Sequence, residues 1–333
     1  MKRIAFLLAA LLFAAPALAQ EKITVGVLRF VSSGGLFLAV ERGYFKAEGL
    51  EIDLKFFEAA QPIAVAVVSG DADFGVTALT AGFYNLAGKG ALKIIGAQGR
   101  EAKGFEGNAV LVSRQAAEKG FDDLAKFAGK SLGISQIGSS FHYQIGQIAA
   151  AKGVDIKSID IKPLQSLPNM VAALKSGQVD AIIIAPHLAK PLIAAGDAKL
   201  LAWYSDIDEY QFGALFTGSR TIQSRRAVVE KFTRAYQKGA ADYHAAFNQR
   251  DGAGKRVFDE KAVPAGTQVG KYVYPSDAPE AAIEKVKASA VFADPQAKLD
   301  AADIAKQVAW LKSQALVEPG VEAAAILDLS FIR

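Results

Sequence analysis

Val68-Ser69-Gly70-Asp71-Ala72-Asp73-Phe74-Gly75 returns about a hundred residues later as Leu174-Lys175-Ser176-Gly177-Gln178-Val179-Asp180-Ala181. Each copy reads as a helix ending at glycine, a turn through an aspartate and an apolar strand, which is how an α/β unit closes. Two copies at that spacing predict two lobes built on one plan, with a cleft between them able to take a ligand.

Outward from the first copy, strands and helices alternate. Ile23 to Leu28 reads as a strand, and Gly35 to Ala47 as a helix with Phe37, Val40, Tyr44 and Phe45 near helical spacing. Leu50 to Phe56 is a second strand, Pro62 to Ser69 a helix opened by proline, and Asp73 to Val76 a third strand; Lys93 to Ala97 and Asn108 to Ser113 add two more. Around the second copy the pattern restarts: strands at 131–135, 159–163, 180–184 and 199–203 alternate with helices at 141–152, 168–176 and 188–195. This is an α/β fold, each lobe a mainly parallel sheet flanked by helices. Phe212 to Thr217 reads as a strand returning to the first lobe, so crossings near Val112-Ser113 and Gly213-Leu215 would form a two-crossing hinge. Lobe 1 is then 20–113 with 215–333, and lobe 2 is 114–214. From Gln223 onward the chain reads as helical, including 225–248 and 301–316, and serves as scaffold for lobe 1.

Lys2 and Arg3 precede an apolar run from Ile4 to Ala15, and Ala17-Leu18-Ala19 follows with small residues two apart. That order predicts a secretory signal peptide over 1–19, hence an exported, periplasmic protein, because the run is short for a bilayer span. The absence of cysteine removes disulfides, thiolate metal sites and a lipid-bearing cysteine. A composition 51% apolar and 22% charged can bury a sizeable core, and the net charge of +4 is scattered among anions without a basic stripe, which argues against a nucleic-acid partner. Enzyme signatures fail residue by residue. Gly252-Ala253-Gly254-Lys255-Arg256 lacks the leading glycine and the hydroxyl residue of a phosphate loop, and Gly133-Ile134-Ser135-Gln136-Ile137 lacks the second glycine of a nucleophile elbow. No catalytic set, cofactor or metal site is expected.

Three stretches resemble a known family. Glu41-Arg42-Gly43-Tyr44-Phe45-Lys46-Ala47-Glu48-Gly49-Leu50-Glu51-Ile52 resembles the early signature of solute-binding proteins of the nitrate/sulfonate/taurine class of ABC importers. Phe121-Asp122-Asp123-Leu124-Ala125-Lys126-Phe127-Ala128-Gly129-Lys130-Ser131-Leu132-Gly133 resembles their entry into the second lobe, and Ser139-Ser140-Phe141-His142-Tyr143 a loop common in the group. The resemblance runs from Ile23 to about Leu316. It implies a two-lobed type II periplasmic binding protein fold, a monomer that closes on a small, anionic solute and delivers it to an ABC permease and its ATPase. A binder of a thiamine-pyrimidine precursor and a secreted sensor subunit would use the same fold.

Open α/β sheets bind ligands at the carboxyl ends of strands, where helix N-termini converge. After the first strand come Arg29, Ser32, Ser33, Gly34 and Gly35; after the restart strand come Ser135, Ser139, Ser140, Phe141 and His142. Serines there can contact a ligand or merely cap a helix, and glycines let backbone N–H groups approach an anion. Arg29 can pair with an anionic ligand or with Glu58. Thr77 and Thr80 follow the third strand, Pro186 and His187 open the next helix of the second lobe, and Trp203 with Tyr204 could form a stacking wall or an interface. Related sulfonate and taurine binders often carry tryptophan where this chain has Ile184-Ala185-Pro186-His187, and the loop Val76-Thr77-Ala78-Leu79-Thr80 is more apolar than expected. Those departures suit a larger or aromatic anion, or a heterocycle, better than nitrate.

Overall fold

A computed structural model describes residues 20–332; the signal-peptide reading of 1–19 lies outside the described residues. Strand β1 (Glu21–Val27) runs parallel to β2 (Leu50–Phe56) on one side and β3 (Phe74–Ala78) on the other. Further along come β4 (Leu92–Ala97), β5 (Ala109–Ser113), β6 (Ser131–Ile134), β7 (Asp160–Pro163), β8 (Ala181–Ile184), β9 (Ala198–Trp203) and β10 (Gly213–Gly218). They form two five-stranded sheets, ordered β2-β1-β3-β10-β4 and β7-β6-β8-β5-β9. In each, one antiparallel strand is inserted among four that run together. The architecture is therefore a two-lobed α/β periplasmic binding protein fold.

The helices α1 (Gly34–Glu41), α2 (Tyr44–Ala47), α3 (Gln61–Ser69), α4 (Ala81–Gly88) and α5 (Arg114–Glu118) follow strands of the first half. In the second half come α6 (Ser140–Ala151), α7 (Leu167–Ser176) and α8 (Pro186–Ala194). After β10 the chain adds α9 (Ser219–Ser224), α10 (Arg226–Phe247), α11 (Ala262–Val273), α12 (Pro279–Ser289) and α13 (Ala301–Ser313). The helix expected over 35–47 is two, because Gly43 takes the left-handed conformation (φ 70°) between α1 and α2. The C-terminal region is helical only in segments, with irregular stretches at 248–261 and 290–300.

The inserted strands correct one expectation. Asn108 to Ser113 reads as the last strand of the first lobe, yet β5 pairs with β8 and β9 in the second sheet. The chain thus changes lobe before Ala109, along 98–108, and returns along 204–212. An apolar run such as Ala109-Val110-Leu111-Val112 is buried in either sheet, so its pattern says nothing of which one it joins.

The repeated stretch is one structural unit used twice. Gly70 and Gly177 both cap their helices in the left-handed conformation, at φ 88° and 73°. Next, Asp73 Oδ2 accepts the Thr24 N–H at 2.8 Å, and Asp180 Oδ2 accepts the Ser131 N–H at 2.8 Å; both bonds span 49 residues. Each aspartate also donates its own N–H to the carbonyl of the same partner, at 2.8 and 2.9 Å. The register follows: Val25 faces Phe74 and Leu54 in the first sheet as Leu132 faces Ala181 and Ile161 in the second. The aspartates, their partner strands and the capping glycines superpose in sequence at one offset, against which α3 begins one residue later than α7. Asp180→Ala strips a part-buried carboxylate from the Ser131 N–H and hydroxyl and is expected to cost about 1–3 kcal/mol. Urea denaturation should show it as a lower midpoint with an unchanged slope.

Candidate functional site

Between the sheets lies a cleft enclosing about 690 Å³ of empty space, mouth included. From lobe 1 it is lined by Leu28, Phe30, Ser32, Ala59, Ala60, Thr77 and Ala78, and from lobe 2 by Ser135, Ser139, Ser140, Phe141, Leu167, Ala185, Pro186 and His187. The crossing segments add Gln98, Asn108 and Phe212, and the C-terminal region adds Ser289 and Val291. The jaws touch: the Ala81 N–H donates to the Gly138 carbonyl at 2.8 Å, and Phe30 meets His187 edge-on with ring centroids 4.4 Å apart. Gly138 has φ 76°, and a Cβ there would stand 2.5 Å from the Ala81 Cβ, so only glycine permits this approach.

No Asp, Glu, Lys or Arg is among these lining residues. Polarity comes instead from hydroxyls, two amides and helix ends. α6, α7 and α8 begin at residues that line the cleft, α3 begins just beyond Ala59-Ala60, and α4 begins just beyond Thr77-Ala78. The partial positive charge at those helix starts favours an anion there. Ser139 caps α6, accepting the His142 N–H at 3.3 Å, and Thr80 caps α4, accepting the Phe83 N–H at 3.1 Å. Thr77 Oγ1 differs from both, being buried in the cleft wall with no hydrogen-bond partner among the described residues. Such a hydroxyl is costly to the folded state unless something else satisfies it. His187 adds no charge, since burial lowers its imidazolium pKa from 6.5 to about 3 and leaves the ring neutral.

The structure brings together eight of the residues singled out from the sequence: Ser32, Thr77, Ser135, Ser139, Ser140, Phe141, Pro186 and His187. Seven others lie elsewhere. Arg29 lays its guanidinium 3.7 Å from the centre of the Phe56 ring and donates to the Tyr272 carbonyl, so it pairs with neither the cleft nor Glu58. Ser33 stands just behind the cleft, where its hydroxyl accepts from Gln98 Nε2 at 3.0 Å. Gly34 and Gly35 are small because α1 packs on the C-terminal helices; a Cβ on Gly34 would strike Tyr243, and one on Gly35 would press on the Ala240 backbone at 3.2 Å. The His142 ring turns back on its own loop, with Nδ1 accepting the Gly138 N–H at 3.1 Å, and packs edge-on against Trp310. Trp203 sits under Lys190, and Tyr204 is wholly buried in the lobe 2 core.

Several lining residues escaped the sequence reading. Leu28 occupies, at the repeat offset, the place of Ser135, so the repeat itself could have found it. Gln98, Asn108 and Phe212 carry no such signal, because they sit on crossing segments outside the repeated unit.

Those segments hold a buried polar network. Glu101 and Tyr210 exchange backbone hydrogen bonds of 2.8 and 3.2 Å and so tie one crossing to the other. The Glu101 side chain is fully buried, and its carboxyl accepts the Asn108 N–H at 2.9 Å and Gln144 Nε2 at 3.1 Å. Asn108 Nδ2 in turn donates to Gln144 Oε1 at 3.0 Å. Burial raises the Glu101 carboxyl from 4.5 to about 8, against the pull of those two donors.

The NMT1/THI5-like family model matches residues 31–248. A search of curated protein sequences gives no match. Among solved structures, the chain is similar to the alkanesulfonate-binding protein SsuA of Xanthomonas axonopodis pv. citri bound to MOPS, with a TM-score of 0.72 at 20% identity over 92% of this chain and 98% of that one. It is similar to the periplasmic nitrate-binding protein NrtA of Synechocystis PCC 6803, at TM-score 0.70 and 11% identity over 93% and 87%. The periplasmic aliphatic sulphonate binding protein SsuA of Escherichia coli gives 0.69 and 16% over 92% and 97%.

The raised Glu101 carboxyl makes stability depend on pH. The folded state keeps a proton that the unfolded chain releases above about 4.5, so the stabilisation is full below that pH and is lost as pH rises through about 8. Denaturant midpoints taken between about pH 5 and 9 should therefore fall through that window in the wild type and fall less in Glu101→Gln.

Proposed function

The chain belongs to the NMT1/THI5-like family, and from that footing we propose that it is the solute-binding component of an ABC importer. In this reading it works in the periplasm as a monomer, captures a small anion between its lobes, and presents the closed form to a membrane permease powered by an ATPase. The observation that carries the reading is the cleft. Helix N-termini and hydroxyls from both lobes surround one space, an orphan buried hydroxyl at Thr77 faces it, and the jaws meet across it.

The walls suggest the cargo. Phe30, Phe141, Leu167, Phe212 and Val291 give the cleft an apolar body, while the serines, Thr77 and the helix ends give it a donor-rich pole. That combination suits a singly charged anion carrying an apolar or aromatic portion, of the sulfonate kind, better than bare nitrate. The ligands named for the similar sulfonate-binding structures agree with this class. Binding works by population shift: a solute bridging both jaws favours the closed form by its differential affinity for that form.

A thermal-shift screen of residues 20–333 against nitrate, taurine, alkanesulfonates and aromatic sulfonates and carboxylates tests the reading. A ligand present at a hundredfold excess over its dissociation constant adds about 2.7 kcal/mol to the folded state. Sulfonates with an apolar portion should give a saturable shift, and no shift from any of these anions would overturn the proposal. Thr77→Val should weaken the binding ligand roughly three- to tenfold by removing one hydrogen bond. The same change should leave the melting temperature of the free protein unchanged or higher, since the hydroxyl has no partner to lose.

A further inference from the structure

Asn108 is buried, lines the cleft, and belongs to a chain of side chains whose polarity is set from one end. Among the described residues its amide makes one hydrogen bond, donated by Nδ2 to Gln144 Oε1. Gln144 is fully buried and presents its Nε2 to Glu101, and once that carboxyl is ionised it can do nothing else, because a carboxylate oxygen has no proton to give. Gln144 Oε1 is then left for Asn108 Nδ2, and the Asn108 amide oxygen is left for the cleft. Space behind the carboxyl is fixed too: any side chain on Gly107 would collide with it.

We propose that Glu101, when ionised and acting through Gln144, makes Asn108 a hydrogen-bond acceptor toward the ligand, so that the cleft then selects anions that also carry a hydroxyl or N–H donor. Glu101 is here a positioning residue and Asn108 the specificity-determining one. The inference rests on the reading of the cleft as the ligand site. It goes beyond that reading, because an anion site built of hydroxyls and helix ends makes no demand for a donor on the ligand.

A proton on the carboxyl would change the outcome, since a protonated oxygen can donate to Gln144 Oε1 and let both amides reverse. Against Glu101 stand the Gly107 and Asn108 backbone from its own segment and Gln144 from α6, and the Tyr204 hydroxyl of the second crossing lies near enough to feel its charge. Burial, Asp208 and Glu101 itself hold that hydroxyl well above its usual pKa. Of these groups, Glu101 is the one that titrates near neutrality, with a pKa of about 8. The preference for a donor should therefore grow as pH rises through that value.

The test compares 3-hydroxypropanesulfonate with 3-fluoropropanesulfonate by calorimetry, since fluorine keeps the size of the hydroxyl and cannot donate. In the wild type at about pH 9 the hydroxyl compound is expected to bind about tenfold more tightly, the cost of leaving a buried acceptor unpaired. In Glu101→Gln, whose amide can donate or accept, the ratio should fall to about threefold or less and lose its pH dependence, while affinity for the fluoro compound stays within about twofold. Gln144→Leu, which cuts the chain while leaving the carboxyl in place, should do the same. Equal binding of the two compounds by the wild type would overturn the inference, as would a ratio that survives in both variants. A loss of affinity shared equally by both compounds would assign Glu101 a structural role and also overturn it. If neither compound nor any other sulfonate binds, the anion-cleft reading falls and takes this inference with it.

Discussion

Each lobe depends on one carboxylate at the start of a strand. Asp73 and Asp180 accept an N–H from the neighbouring parallel strand and return their own N–H to the same residue, which fixes where the two strands meet. A slip of one residue would turn Val25, Val27, Phe74 and Val76 from one side of the sheet to the other. With register held at that end, the opposite ends come level about 15 Å away, a strand length of roughly five residues. Leu28 with Thr77, and Ser135 with Ile184, therefore stand at one height, and the helices that follow begin around a common space. The field of the cleft is set by hydrogen bonds at the far end of the strands.

The hinge follows from the strand each sheet takes from beyond a crossing. β10 returns to the first sheet and β5 enters the second, so two short antiparallel segments carry the whole connection and are tied to each other at Glu101 and Tyr210. A carboxyl buried there, beside no cation, is tolerated because it keeps its proton and accepts two hydrogen bonds. Behind the hinge α13 lays Trp310 edge-on against His142 and Tyr143 of α6. The lobes thus touch at the jaws, through the crossings and along this seam, and any opening must repack the aromatic seam as well as the cleft.

Much of this was legible in the residues, for physical reasons that also mark the limit. The repeated glycine and aspartate announced the two lobes because left-handed caps and strand-starting carboxylates are local devices with local signatures. The serines and the Pro186-His187 turn were found because strand ends followed by helix starts are local too. Long-range partners were invisible. Arg29 reads as an anion ligand until Phe56 and Tyr272 are seen to occupy it, and Gly35 reads as a phosphate-type glycine until Ala240 is seen pressed against it. Glu101 gave no sign at all, since a lone glutamate among polar neighbours becomes a buried hinge group only once β5 is placed in the other sheet.

The repeat makes the scaffold symmetric, and the departures from symmetry make it a site. At matching positions Leu28 opposes Ser135, Ala60 opposes Leu167, and Thr80 opposes His187. Ser32 and Ser139 agree, as do Ala78 and Ala185. Two fully equal jaws would hold the two ends of a ligand alike and suit a ligand with two similar ends. Here the first lobe sets an aliphatic side chain where the second sets a hydroxyl, and the second adds bulk where the first has none. Thr77 and Ile184 complete the exchange, placing the orphan hydroxyl on one side only. On the proposed reading, a ligand in this cleft would meet a different surface at each end, and the positions where the two copies differ would set its orientation.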